Sequence, residues 1–149
     1  MDKMTFFART MHTPDDPARA ELRAALRELS QALIPLHKSL IDTARTEYAS
    51  FGLGEITGPA HLLRLIQEDP FFAWLKPTTA LIVDIDELAR VDFTDADAME
   101  IAGRVDALFS PSAGSAFAER YLPMLQRDVD VAIGHAAVRK AAARLPRRP

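Results

Sequence analysis

The chain has no cysteine among its 149 residues, so disulfides, thiolate metal sites, iron–sulfur clusters and thiol nucleophiles are excluded together. Nor does it contain an apolar run approaching the roughly 18 residues of a membrane helix. At the N-terminus Asp2 and Lys3 are followed by only Met4 to Ala8 before Arg9, too short for a secretory apolar segment. Cytoplasm is the expected compartment, without membrane contact. Glycine is sparse, at six residues, and forms no phosphate-cradling loop, because Gly52 and Gly54 lead into Glu-Ile-Thr-Gly-Pro rather than into Lys-Ser/Thr opening a helix. No Glu is followed three residues on by His, which removes the paired motif of di-iron bundles. The four histidines, His12, His37, His61 and His135, are spread one per segment with no His-x-x-x-His pair. No Ser-His-Asp set can be assembled from spacing alone. These absences lean away from an enzyme, and no cofactor is implied.

What is present is ordinary globular composition, 48% apolar and 26% charged, at a length that buries about 68 to 70% of the unfolded surface in one domain. Residues 15–145 are expected to form that domain, residues 1–14 a mobile arm that Phe6 and Phe7 can pin to a groove, and residues 146–149 a basic tail. The net charge of −3 gives no general attraction to nucleic acid. Its distribution is uneven. Asp84 to Asp106 holds eight acidic residues and two Arg, −8 + 2 = −6, whereas Arg139, Lys140, Arg144, Arg147 and Arg148 close the chain with no acid among them. Such segments compensate a helix dipole, and opposed ones can pair between chains.

The apolar pattern is helical throughout. After Asp15 or Asp16 as cap and Pro17 in the first turn, Leu22, Leu26, Leu29, Leu33, Leu36 and Leu40 recur at steps of 4, 3, 4, 3, 4, and the stripe runs on through Ala44 and Tyr48 to Phe51. That spacing predicts a helix to Ser50, about 50 Å long, kinked at Pro35 and ended by Gly52 and Gly54. Gly58-Pro59 opens a short second helix to Glu68 with Leu62, Leu63, Leu65 and Ile66 inward, and Asp69-Pro70 re-caps a turn carrying Phe71, Phe72, Trp74 and Leu75.

The stretch ALIVDID admits a strand with terminal acids, but Leu81, Ile82, Ile85, Leu88 and Ala89 fit a helix face and no second strand exists to pair with it. Leu81, Ile85 and Leu88 are therefore expected inside, Asp86 and Glu87 wetter. Thr94 and Asp97 form a capping box for a helix with Ala98, Ile101, Ala102, Val105, Leu108 and Phe109 inward, closed by Ser110 to Gly114. From Ser115 a last helix runs toward Leu145, kinked at Pro123, with a second break available at Asp128 to Asp130. The fold class is all-α, an up-and-down bundle of five or six helices, two of them long and Pro-kinked.

Few side chains qualify as a site. Trp74 is either a core anchor or part of an aromatic patch for a partner, and Phe71, Phe72, Trp74 and Leu75 are set too closely for all to face one core. His37, Tyr48 and Trp74 can line a small-ligand or metal site beside the Pro35 kink, where the carbonyl of Gln31 loses its helical donor. His37, His61 and His135 are the weak metal candidates, no metal site being assigned. His37-Lys38 lacks the later Lys and Gly of phosphotransfer bundles, having Leu40 and Ile41. Asp84 and Asp86 point about 200° apart on a helix and cannot share one cation.

The segments DPFFAWLKP, LIVDIDEL, LHKSLIDTARTEY and YLPMLQRDVDVAIGHAAVR resemble a group of small all-helical bacterial proteins with no assigned activity, over about Leu22 to Arg139. The resemblance implies helicity and a bacterial, intracellular setting, and it carries over no functional residue. The expected function is thus a non-enzymatic protein-interaction or regulatory module, most simply a homodimer, with Phe71, Phe72 and Trp74 as candidate contacts. The alternative is a bundle that binds a small ligand or metal near the Pro35 kink.

Overall fold

The computed structural model describes residues 15–110 and 114–149; the arm with Phe6, Phe7 and His12, and residues 111–113 of the Ser110–Gly114 turn, lie outside that description. Six α-helices and one 3-10 helix, and no strand, make up the described residues: α1 Pro17–Ser50, α2 Pro59–Glu68, the 3-10 helix Pro70–Leu75, α3 Lys76–Leu88, α4 Asp95–Phe109, α5 Ala116–Arg127 and α6 Val129–Ala142.

The axis of the molecule is α1, 34 residues long and helical through Pro35. Asp16 caps it, its carboxylate accepting from the Arg19 N–H at 2.7 Å, and Pro17 fills the first turn. Its far end closes as a Schellman motif: Gly52 takes φ +70°, its N–H donates to the Ala49 carbonyl and the Leu53 N–H to the Tyr48 carbonyl. Leu26, Leu29, Leu33, Leu36, Leu40, Ala44 and Tyr48 are all buried, so the predicted seam is the spine of the core, with Leu22 half-buried at its start.

Two helices lie antiparallel on this spine. Along α3, Thr79 meets His37, Asp86 meets Ser30, and Ala89 with Val91 meets Arg23, so one chain descends as the other ascends. On the other flank Asp128 meets Thr43 and Arg144 meets Glu28. Between those points α6 approaches so closely that a Cβ at Gly134 would stand 3.1 Å from Leu36 Cβ. Helix α4 packs on α3 and α6, and α5 bridges the 3-10 helix, α4 and α6.

ALIVDID is helical: Leu81, Ile85 and Ala89 are buried together, while Ile82 and Leu88 are half-buried. The helix starts at Lys76, with Pro77 in a first turn that needs no N–H there. The Thr94–Asp97 capping box is formed in both directions, at 3.1 and 2.9 Å.

Three expectations need correction. The second long Pro-kinked helix is two helices, because Asp128 ends α5 and its carboxylate accepts from the N–H groups of Asp130 and Val131 to start α6; Pro123 stays within α5. Asp86 is half-buried rather than wet, accepting from the Ser30 hydroxyl at 2.6 Å. Leu63, expected inward, is exposed.

Candidate interaction surface

Among the candidate residues, the structure brings Tyr48, Phe71 and Phe72 together. Asp69 starts the 3-10 helix by accepting from the Phe71 N–H at 2.8 Å, and the tight rise of that helix sends Phe72 into the core, fully buried, while Phe71 stays at its edge. Tyr48 lies 5.4 Å from Phe71, edge to face, and 5.5 Å from Phe72. Phe51, the residue after α1, extends this row 6.0 Å from Phe71 and is 66% exposed.

Trp74 faces elsewhere. Only 6% exposed, it packs 5.7 Å from Phe117 and heads a second aromatic group of Phe109, Phe117, Tyr121 and His135. Arg120 joins the two groups, its guanidinium 5.0 Å from the Phe71 ring and 5.4 Å from Trp74, with Glu47 holding both Arg120 and Arg127 at 3.1 Å. The aromatic that reaches solvent is thus Phe51, which sequence reading treated only as the end of the α1 stripe.

The three candidate imidazoles do not converge. Nε2 of His37 is 3.3 Å from the Thr79 hydroxyl, Nδ1 of His61 accepts from the Thr57 N–H at 3.1 Å, and Nδ1 of His135 is 2.7 Å from the Tyr121 hydroxyl. Burial pushes His37 below its ordinary pKa, and burial with the nearby Arg139 does the same to His135. Burial also raises Tyr121, so that pair is neutral at pH 7. Among the described residues no group of three or more His, Asp or Glu stands close enough to hold a metal ion. Nδ1 of His37 and Nε1 of Trp74 are buried without a hydrogen-bond partner.

The charge segments are also accounted for differently. Arg139 pairs with Asp106 at 2.9 Å, Arg147 with the same carboxylate and the Ala102 carbonyl, and Arg144 with Glu28. The basic end is therefore bound within its own chain to α4 and α1, and pairing it between chains is no longer needed to explain it. Asp84 is taken by Arg104 at 2.8 Å.

Exposed large apolar side chains stand singly at Ile34, Val83 and Val91, and three more fall in the corner where the chain turns from α1 into α2. Helix α2 has no buried residue: Leu62, Leu65 and Ile66 are half-buried, and Leu63 is 56% exposed. Phe51 and Leu53, the latter 51% exposed, precede this helix at the turn of Gly52 and Gly54. Beside it an open cleft of about 540 Å³ is lined by Asp42, Arg45, Thr46, Ala49, Glu55 and Ile56. A smaller exposed apolar pair, Val129 and Ile133, lies on α6. No helix among the described residues is long and apolar enough to cross a membrane. Comparison of the chain with protein-family models, with curated proteins and with solved structures gives no match.

Proposed function

We propose that the chain is a non-enzymatic helical module that works by protein contact, with the Phe51–Leu63 corner as its docking surface. The observation that carries this reading is a ten-residue helix, four of whose residues are Leu or Ile, without one buried side chain, next to an exposed Phe and Leu. Leu62, Leu65 and Ile66 pack against the core from one side of the helix, so its apolar face is only half covered and Leu63 stands outside it with a use for cover. Burying a Leu or Phe gains roughly 1.5 to 3 kcal/mol, and three such residues at the centre of a contact suffice for a hot spot.

The aromatic segment supports the corner from behind: Phe71, itself packed on Tyr48, meets Phe51, and Arg120 stacks on Phe71. Trp74, being buried, serves this reading as core. The reading in which a small ligand sits near the Pro35 kink draws its support from the unpartnered nitrogens of His37 and Trp74, and native mass spectrometry of the purified chain tests it.

The test of the contact reading is a pair of exposed substitutions, Leu63→Glu and Phe51→Glu. Each should leave the melting temperature within about 2 °C, as a surface change does. Each should also abolish the associations of the native chain, whether with itself in sedimentation or with proteins that copurify from its host. Associations that survive both substitutions would sink the reading.

A further inference from the structure

We infer that the cleft between α3 and α4 is a docking site for a basic, aromatic segment, and that its occupant is this chain's own Lys3–Arg9. The inference stands apart from the corner and concerns the opposite end of α1. The cleft, about 470 Å³, has Asp84, Glu87, Leu88 and then Val91 along one wall, and Asp97, Glu100, Ile101 and Arg104 along the other. On each wall the positions recur at three and four residues, so each is one helix face, and the Asp84–Arg104 pair at 2.8 Å spans the far end. The floor is apolar, made by Leu88, Ile101 and a Val91 that is 52% exposed. The rim holds four carboxylates against one cation. Arg104 answers Asp84, and the Asp97 carboxylate accepts from the Thr94 N–H, which leaves Glu87 and Glu100 exposed with no ion pair among the described residues. Such a cleft fits a ligand that carries cations on either side of apolar side chains.

Lys3-Met-Thr-Phe-Phe-Ala-Arg9 is such a segment, two cations flanking Phe6 and Phe7 with no acid between them. The chain enters the fold within reach of the cleft. Asp15 and the Val91 carbonyl bind the same Arg23 guanidinium, at 2.7 and 2.8 Å, so Asp15 stands beside the cleft's mouth. Arg9 is six residues before Asp15 and Phe6 nine, about 20 and 30 Å when extended at 3.3 to 3.6 Å per residue. The α4 wall from Asp97 to Arg104 is about 10 Å long at 1.5 Å per residue, room for about three extended residues. The Phe51–Leu63 corner lies past the far end of the 34-residue α1, about 50 Å away and out of reach of either Phe. The other clefts on α4 carry the wrong sign: one sets Arg104, Arg147 and Arg148 against Glu100 and Asp106, and the other has Arg104 as its only charge. A tether this short also raises the local concentration of the segment into the millimolar range, so a few contacts suffice to fill the cleft.

A nitroxide on Thr5→Cys in the full chain tests this, since no native cysteine competes for the label. Paramagnetic broadening should concentrate on the amides of Glu87, Leu88, Glu100 and Ile101 and should spare Leu63. Glu87→Lys with Glu100→Lys, both on the surface, should cut it about threefold while circular dichroism stays unchanged, and adding Lys3→Glu with Arg9→Glu should restore it. Salt at about 1 M, where the screening length is about 3 Å, should act like the cleft substitutions without any variant. Phe6→Ala with Phe7→Ala should also release the segment. Broadening that misses the cleft, or that survives both charge reversal and salt, overturns the inference. Broadening of equal strength in a mixture where nitroxide and isotope sit on different chains assigns the cleft to a second copy and overturns the own-chain occupant. A cleft that stays free of Lys3–Arg9 yet shifts on adding a basic peptide of unrelated sequence overturns it likewise, in favour of an external partner.

Discussion

The two ends of α1 are finished in opposite ways. At its start, a buried cation ties the helix to the turn that follows α3. Arg23 is buried, bonded to Asp15 at 2.7 and 3.0 Å and to the carbonyls of Ala89 and Val91 at 2.7 and 2.8 Å, with the Phe93 ring 5.0 Å from its guanidinium. At its finish, Phe51 and Leu53 stand in solvent and the next helix has no buried residue. One end uses a cation to satisfy two carbonyls just past α3 and so fixes the turn into α4; the other leaves apolar surface open. The difference separates the end of α1 that is fastened from the end that is open.

The largest effect should come from unfastening the sealed end. Arg23→Ala removes a buried guanidinium together with its bonds to Asp15 and to the carbonyls of Ala89 and Val91, and is expected to cost about 3 to 5 kcal/mol, read by denaturant unfolding. A loss below about 1 kcal/mol would mean that solvent replaces the guanidinium easily and that the contrast between the ends is superficial. Next come the core positions of α3. Leu81→Ala and Ile85→Ala should each cost about 2 to 5 kcal/mol, whereas Leu63→Ala should stay within about 0.5 kcal/mol. If Leu63→Ala instead costs as much as Leu81→Ala in the isolated monomer, the corner is covered and the open-end description fails.

How much of this was readable beforehand depends on range. Caps are local: Asp16 with Pro17, Asp69 with Pro70, and Thr94 with Asp97 each act within three residues, so the chain states them directly. The Leu22–Tyr48 stripe was readable because a period marks an apolar face. A period does not say whether another element arrives to cover that face, which is why Leu63 and Leu65 look alike in sequence while only one is half-buried. Arg23 gave no signal at all, since its partners lie 66 and 68 residues away and are backbone carbonyls, which any residue supplies. The same holds for the basic segment, whose carboxylates on α1 and α4 are set by helix register. Phe51 was legible as apolar but not as exposed, and the site as a whole was therefore visible only in part.

A smaller effect is expected where a charged residue on α3 was taken for a wet one. Asp86→Ala removes the acceptor of the Ser30 hydroxyl and leaves that hydroxyl buried, so it should cost about 1 to 2 kcal/mol rather than the few tenths of an exposed change. Ser30→Ala combined with Asp86→Ala should recover part of the loss, because the orphaned donor is then absent too. A double variant as unstable as the sum of the singles would show that the bond contributes little.

The smallest effect concerns pH and again lies on the sealed side, where His37 sits between α1 and α3. Its Nε2 meets Thr79 and its Nδ1 is buried without a partner, so protonation adds a charge and an N–H that nothing accepts. The folded-state pKa is accordingly below that of the unfolded chain, about 6.5. Below that pH the unfolded chain binds more protons than the folded one, so stability rises with pH through the window and is complete above it. His135 shifts in the same direction and adds to the slope. The native melting temperature should therefore be lower at pH 5.5 than at pH 7.5, by at most about 3 °C from His37 alone, and His37→Gln should reduce that difference without removing it. A variant that keeps the whole difference would assign the slope to His135 instead. A native chain more stable at pH 5.5 would mean that a partner for Nδ1 forms on protonation, and that this side of α1 is less completely fastened than its bonds to α3 suggest.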